Sequence, residues 1–389
     1  MNNSIYLDYQ ATTPIDPRAL DAMLPFFRED FGNPHSTQHS FGQRAEAAVE
    51  SARSKIANLI GADARELIFT SGATESNNIA IIGASRFRAK MGDGVKRVIV
   101  FAFEHKCVLE AARSLKEEGF TVEVLPVTPD GFADLDALKH ALRTPASVVS
   151  LMAANNEIGT IQPIEKAGEL TRSAGALLHV DAAQAVGKIP LSLSQLNADL
   201  LSISAHKMYG PKGVGALYVR RRPRARILPL FQGGGQERGL RSGTIPAALC
   251  VGFGAAAEIA LENMTEEAEL LQKLRTKFCD ALDAAGAKYK INGSMTSRLP
   301  GNLNISFDNT SALHVMQNAP NVAISTGSAC SSASVEPSYV LQALGVDDIV
   351  AAGALRIGFG RMTTEVEVEL AARELAAAAR SAKNQTWAI

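Results

Sequence analysis

The 389-residue chain has only four cysteines, Cys107, Cys250, Cys279 and Cys330, and they lie far apart. With no CxxC pair and no secretory signal at the N-terminus, neither a disulfide framework nor a zinc knuckle is indicated, and a reducing, cytoplasmic compartment is expected. Charge of one sign is lacking too. Thirty-nine basic against forty acidic residues leave a formal net charge of −1, so no global field is available to hold a nucleic acid or an anionic membrane. The local run Arg220, Arg221, Arg222, Arg224 and Arg226 reads first as a solvated loop after a strand and only second as a docking point. No uninterrupted apolar run approaches the length that spans a bilayer. The histidines show no metal spacing, since His35 and His39 lack the glutamate of an HExxH pair.

What is present is apolar material in quantity: 46% hydrophobic against 20% charged residues, the balance of a globular chain. At this length one core of ordinary size does not suffice, and two lobes are expected. Short β-branched runs alternate with longer amphipathic stretches, the pattern of a largely parallel sheet covered by helices. Strands are expected at Arg97 to Phe101, Thr121 to Leu125, Ser147 to Met152, Ala176 to Val180, Asp199 to Ser204 and Gly215 to Val219. Helices are expected at Asp134 to Leu142, capped by Asp134, and at Glu165 to Ser173. Near residue 262 the texture changes, because Glu262 to Leu282 reads as one long charged amphipathic helix with no strand beside it. A domain boundary is placed there. Beyond it come strands at Asn302 to Phe307 and Leu355 to Gly358 and an alanine-rich helix from Thr364 to Ala382.

Five stretches carry chemistry. SISAHKMYGPKG (202 to 213) leaves a buried strand for a glycine- and proline-rich turn, and the carboxyl ends of such strands are where ligands bind, so Ser204, His206 and Lys207 point to a site. A partly desolvated lysine there can form an imine, although a lone loop lysine is usually just solvated. HVDAAQ (179 to 184) ends a strand in Asp181. A carboxylate at that place can keep a pyridine nitrogen protonated and make the ring an electron sink, with Gln184 near a ring substituent; capping a helix is the plainer role. TSGATESNN (70 to 78) is a strand end opening into a helix, an anion cradle with Thr74 or simply a capped helix. FEHKC (103 to 107) puts His105 after a strand, able to lie on an aromatic ring and move protons. ISTGSACSSAS (324 to 334) sets Cys330 among small residues, where a structural cysteine would be surrounded by bulky apolar side chains. Arg356 in ALRIGFG can clamp a carboxylate through two parallel hydrogen bonds, with Asn156 in ANNEIGT to share it.

Taken together, these stretches resemble the cysteine desulfurases of the aminotransferase class V superfamily, specifically the iron-sulfur-assembly type with a long mobile cysteine loop. The resemblance runs nearly end to end, through YLDYQATTPIDP, FGNPHS, SGATESNN, EHKCVL, NNEIGTIQPI, HVDAAQAVGKIP, SISAHKMYGPKGVGALYVRR, GGGQERGLRSGT, LPGNLNISF, STGSACSSAS and RIGFGR. It implies an α/β fold of the pyridoxal-phosphate-dependent transferase type (fold type I). That fold has a large domain over 15–261 with a mostly parallel seven-stranded sheet, and a smaller α/β domain from 1–14 and 262–389 carrying the cysteine loop at about 324–336. It implies pyridoxal 5′-phosphate linked to Lys207, Asp181 on the pyridine nitrogen, Gln184 on the ring oxygen and His105 stacked on the ring as acid-base group. Thr74, Ser204 and His206 match the phosphate binders, with Ala73 beside them, and Thr244 matches the phosphate ligand given by the second subunit of a homodimer. Asn156 and Arg356 match the substrate-carboxylate pair.

The implied reaction removes sulfur from L-cysteine, releases alanine and leaves a persulfide on Cys330, which passes to an acceptor or iron-sulfur scaffold protein; neither membrane nor direct nucleic-acid binding is expected. The chain stops soon after its alanine-rich helix, at NQTWAI, whereas members serving general assembly systems commonly carry a scaffold-docking extension, so the acceptor stays open. A selenocysteine lyase, a carbon-sulfur lyase without a persulfide carrier and a silent adaptor are the competing readings. Cys330 in its loop opposes the second, and Lys207, Asp181, His105 and Cys330 together oppose the third.

Overall fold

The computed structural model describes residues 4–327 and 338–382. The strands, in chain order, are β1 (Ile5–Tyr6), β2 (Leu67–Thr70), β3 (Arg97–Phe101), β4 (Thr121–Leu125), β5 (Val148–Ser150), β6 (Leu177–Asp181), β7 (Leu200–Ser204), β8 (Gly215–Val219), β9 (Tyr289–Ile291), β10 (Asn302–Phe307), β11 (Val322–Ala323) and β12 (Ala354–Gly358). Seven of them form one sheet in the order β2-β8-β7-β6-β5-β3-β4, in which β8 alone runs antiparallel to its neighbours. Both faces are covered, so runs such as Val98–Phe101 and Leu200–Ser204 are buried throughout and read as unbroken apolar strands, not alternating ones. From β3 the chain moves outward to β4 and then returns to β5 on the other side of β3. That reversal opens a crevice at the carboxyl ends of β3 and β5, where α/β sheets bind ligands.

Asp134 caps the helix Leu135–Ala141 by accepting from the Ala137 N–H, as its sequence position predicts. The charged helix expected from residue 262 instead begins at residue 247 and runs unbroken over Ala247–Ala284. Gly252 and Gly254 are there for contact: a Cβ on Gly254 would lie 2.6 Å from the Ala52 Cα, and one on Gly252 would lie 2.3 Å from the Met23 sulfur. The helix thus seats closely on Ser40–Ile60. Contrary to the sequence expectation, its most apolar stretch has the length and hydropathy of a membrane span, yet 56% of that stretch is buried within the fold.

The second half of this helix joins a different core. Leu274, Phe278 and Leu282 pack with Leu303, Ile305 and Phe307 of β10, Leu355 and Ile357 of β12 and the helix Glu365–Ala382. Ile5 and Leu7 belong to the same core, because β1 pairs in parallel with β11. The chain therefore starts in the second core and crosses to the first through residues 8–16. In the other direction, Val340, Leu341 and Leu344 pack with the core of the large sheet. The arginine run is partly engaged: Arg220 pairs with Asp199, and Arg226 lies over the Phe87 ring.

His179 is fully buried in mid-sheet, where its Nδ1 meets the Ser150 hydroxyl at 2.8 Å and its Nε2 the Ser202 hydroxyl at 3.0 Å, tying β5, β6 and β7. Burial depresses its pKa from 6.5 to about 4. Between those values the unfolded chain binds a proton that the folded one does not, so stability falls as pH drops through the window, by about 3 kcal/mol at most from this residue. Urea unfolding from pH 6.5 to 4 should show that loss, and His179→Asn should have a shallower pH slope; an unchanged slope would show that His179 is not the proton-linked group.

Candidate active site

A cavity of about 600 Å³ lies at the carboxyl ends of β2, β3, β5, β6 and β7. It brings together Ala73, Thr74, His105, Asn156, Asp181, Gln184, Ser204, His206, Lys207 and Arg356, which is every expected site residue except Cys330 and Thr244. Cys330 lies outside the described residues. Thr244 is exposed and does not line the cavity.

Lys207 closes the short turn after β7, and its Nζ donates to the backbone carbonyls of Gln10 at 2.6 Å and Ala11 at 2.7 Å. The next residues of that crossing segment hold His206, whose Nδ1 meets the Thr12 hydroxyl at 3.1 Å and whose backbone carbonyl accepts from the Thr13 hydroxyl at 3.0 Å. Burial, reinforced by the charges of Lys207, Lys212 and Lys188, takes the His206 imidazole down to about 4, so it is neutral near neutral pH.

Asp181, the last residue of β6, is 6% exposed. One carboxylate oxygen accepts from Asn77 Nδ2 at 2.7 Å and the other from the Ala183 N–H at 3.0 Å. Asn77, in the helix Ala73–Asn78, is a residue the sequence reading missed; its place in TSGATESNN, three residues past the phosphate-cradle candidate Thr74, was the only signal.

His105 caps the helix Lys106–Ser114: its Nδ1 accepts the Cys107 N–H at 3.2 Å and lies 3.0 Å from the Cys107 sulfur. With Nδ1 accepting, the neutral ring carries its proton on Nε2. Burial lowers the His105 pKa although the charge of Asp181 opposes it. The Cys107 thiol, pushed up to about 12 by burial and then by Asp181, stays protonated. Beneath them Glu104 is wholly buried and held well above the usual carboxylate range by desolvation and by Asp181.

At the opposite end of the cavity the strand β2 turns at Gly72 into the helix carrying Ala73 and Thr74. Gly72 has φ +152°, a conformation side chains disfavour, and β8 passes so close that a Cβ on Gly215 would lie 2.6 Å from the Gly72 Cα. Ser204 lies beside this turn. The turn is braced by Glu75, which accepts from the Ser71 N–H and pairs with Arg241 at 2.7 Å. Arg241 belongs to the glycine-rich segment leading to Thr244. That segment is pinned by a buried pair in which Arg53 donates to both Glu237 oxygens, at 2.7 and 2.8 Å, while Glu237 also takes the Phe69 N–H at 2.7 Å. The contacts hold Glu237 and Arg238 at φ +46° and +57°.

Arg356, on β12, is 3% exposed and pairs with Asp8 at 2.9 Å. Among the described residues its Nε and the Oδ1 of Asn156 are buried without a partner, and both residues line the cavity. Glu157 also reaches the cavity, where burial raises its pKa and the Ser338 hydroxyl donates to it.

The family model for aminotransferase class V matches residues 5–370. The chain is 52% identical over 369 residues to a protein named cysteine desulfurase IscS from Rickettsia bellii, covering 95% of this chain and 89% of that one. Among solved structures, a NifS-like protein superposes with a TM-score of 0.88 at 38% identity, covering 96% of this chain and 98% of its own. A structure described as SspA in complex with cysteine superposes at 0.82 with 35% identity, covering 93% and 100%. Pyridoxal 5′-phosphate is the cofactor of such enzymes, and the donor set fits it, with a carboxylate at one end, a helix start with Thr74, Ser204 and His206 at the other, and a lysine between. By the extent of this match and by the fold that carries the cavity, the chain belongs to the aminotransferase class V family.

Proposed function

We propose that the chain is a pyridoxal-phosphate-dependent cysteine desulfurase, which takes the sulfur of L-cysteine onto Cys330, releases L-alanine and hands the sulfur to an acceptor protein for iron-sulfur cluster assembly or other thiolation. The observation that carries the reading is the convergence of Lys207, Asp181, His105, Asn156 and Arg356 in one cavity. When bound, the cofactor supplies the electron sink for bond breaking at the substrate α-carbon. The Arg356 guanidinium and the amide N–H of Asn156 orient the substrate carboxylate. Lys207 Nζ removes the α-proton, and His105 Nε2, the ring atom free of the helix cap, moves protons in the cavity. The Cys330 thiolate attacks the substrate sulfur, the carbon-sulfur bond breaks with its electron pair passing to the carbon, and protonation there yields alanine. The sulfur stays as a persulfide until an acceptor thiolate takes it.

The working unit in this reading is a homodimer in the cytoplasm. Thr244, exposed and outside its own chain's cavity, then serves the phosphate of the other copy, and the exposed Phe27, Phe31 and Phe41 supply apolar surface for association. The two apolar cores support a division into 15–261 and 1–14 with 262–389 in part, since Val340, Leu341 and Leu344 pack with the first core.

Incubation with L-cysteine in the absence of added thiol should give alanine and a persulfide mapped by mass spectrometry to Cys330, both lost in Cys330→Ser. Alanine that persists in that variant would remove Cys330 as sulfur carrier, and no alanine from a protein loaded with cofactor would remove cysteine as substrate. Arg356→Lys, which keeps the charge but loses the two-pronged contact, should raise the KM for L-cysteine about 10-fold or more with a smaller change in kcat. An unchanged KM would place the substrate carboxylate elsewhere.

A further inference from the structure

Gln184 stands three residues past Asp181, 6% exposed, with its amide gripped at both ends. Its Oε1 accepts from Lys188 Nζ at 3.0 Å, and its Nε2 donates to the Gln10 carbonyl at 2.9 Å. A carbonyl oxygen only accepts, so Gln10 requires the amide nitrogen on its side, and a lysine ammonium only donates, so Lys188 requires the amide oxygen on the other. Two partners of opposite kind select one of two amide orientations that have nearly the same shape. The amide nitrogen has a second hydrogen. With the first on Gln10, the second is left for the cavity that Gln184 lines.

Lys188 does not line that cavity. It borders a separate small void with Tyr9, Gln10, Tyr209 and Glu267, one helical turn beyond Gln184 in sequence. Burial lowers its pKa to about 7, with the charges of Lys207 and Arg356 pushing the same way and Glu267 opposing, and either as ammonium or as amine its Nζ keeps hydrogens to donate. A desolvated lysine beside an active site is the usual mark of a nucleophile. Here its hydrogen bond goes to an amide side chain, whereas Lys207 lines the cavity itself.

We propose that Lys188 is a positioning residue that locks the Gln184 amide with its nitrogen toward the cavity, so that Gln184 meets the cofactor as a hydrogen-bond donor and never as an acceptor. This rests on the reading that pyridoxal phosphate fills the cavity with its ring oxygen beside Gln184. A donor on that oxygen draws electron density from the conjugated ring system and lowers its proton affinity. A flipped amide would set oxygen against oxygen and raise it.

The test uses the cofactor-loaded protein without substrate. Visible absorbance is followed against pH, and the dissociation constant for pyridoxal phosphate is measured, in Lys188→Met, Gln184→Leu, the double variant and Lys188→Arg. Met is close to lysine in shape without the charge, and exchanging a desolvated ammonium for it should leave the fold intact, checked by thermal melting. Lys188→Met should move the absorbance midpoint upward by about half a unit to one unit, the worth of one hydrogen bond, and weaken cofactor binding a few-fold. Gln184→Leu should do at least as much, the double variant no more than Gln184→Leu, and Lys188→Arg, whose head group also only donates, should return toward the parent. A Lys188→Met shift that is equally large in the Gln184→Leu background would reveal a through-space charge effect and overturn the proposal, as would no shift in Lys188→Met where Gln184→Leu has one. If Gln184→Leu changes neither midpoint nor affinity, the reading of Gln184 as a cofactor partner is wrong and the proposal fails with it.

Discussion

The placement of Lys207 in the ligand cavity depends on backbone from the start of the chain. The carbonyls of Gln10 and Ala11 accept from its Nζ at 2.6 and 2.7 Å. For those carbonyls to be there, the first strand has to dock on β11 in the second core and residues 8–16 have to cross to the large sheet. The same crossing segment supplies Asp8 to Arg356, Thr12 and Thr13 to His206, and the Gln10 carbonyl to Gln184. Both cores and most of the site therefore meet on about a dozen residues at the start of the chain.

Charge is sorted along the cavity by the same construction. The lining holds Asp181 near the buried Glu104, a helix start with Thr74, a neutral His206, and the basic Arg356 and Lys207. Desolvation governs the groups that must not be charged: His105, His206 and the Cys107 thiol are all kept neutral near neutral pH, mainly by burial. A ligand with a basic ring nitrogen and a phosphate matches that set.

The parts of this arrangement that were legible in the sequence share a cause. β3 and β8 fall at their expected limits because a strand covered on both faces is a mostly apolar run, β4 and β10 because β-branched and apolar residues recur through them, and a polar residue such as Asp181 or His105 stands at or just after the carboxyl end of a buried strand. What stayed hidden depends on partners distant in sequence. Gln10 acts through a backbone carbonyl, which no side-chain pattern announces. Asn77 and Lys188 matter through residues 104 positions away and one turn away that they orient, and nothing in a lone asparagine or lysine says which. The long helix begins fifteen residues before its expected start because the charged pattern that marked residue 262 is lacking in its buried first half, where Gly252 and Gly254 allow close packing.

The central claim is that Lys207, which lines the cavity, and not Lys188, whose pKa burial lowers, bears the cofactor. Loading the protein with pyridoxal phosphate, reducing with borohydride to make the link permanent and mapping the labelled peptide tests this directly. The account predicts label on Lys207 alone. Label on Lys188, Lys212 or Lys106 instead would contradict it.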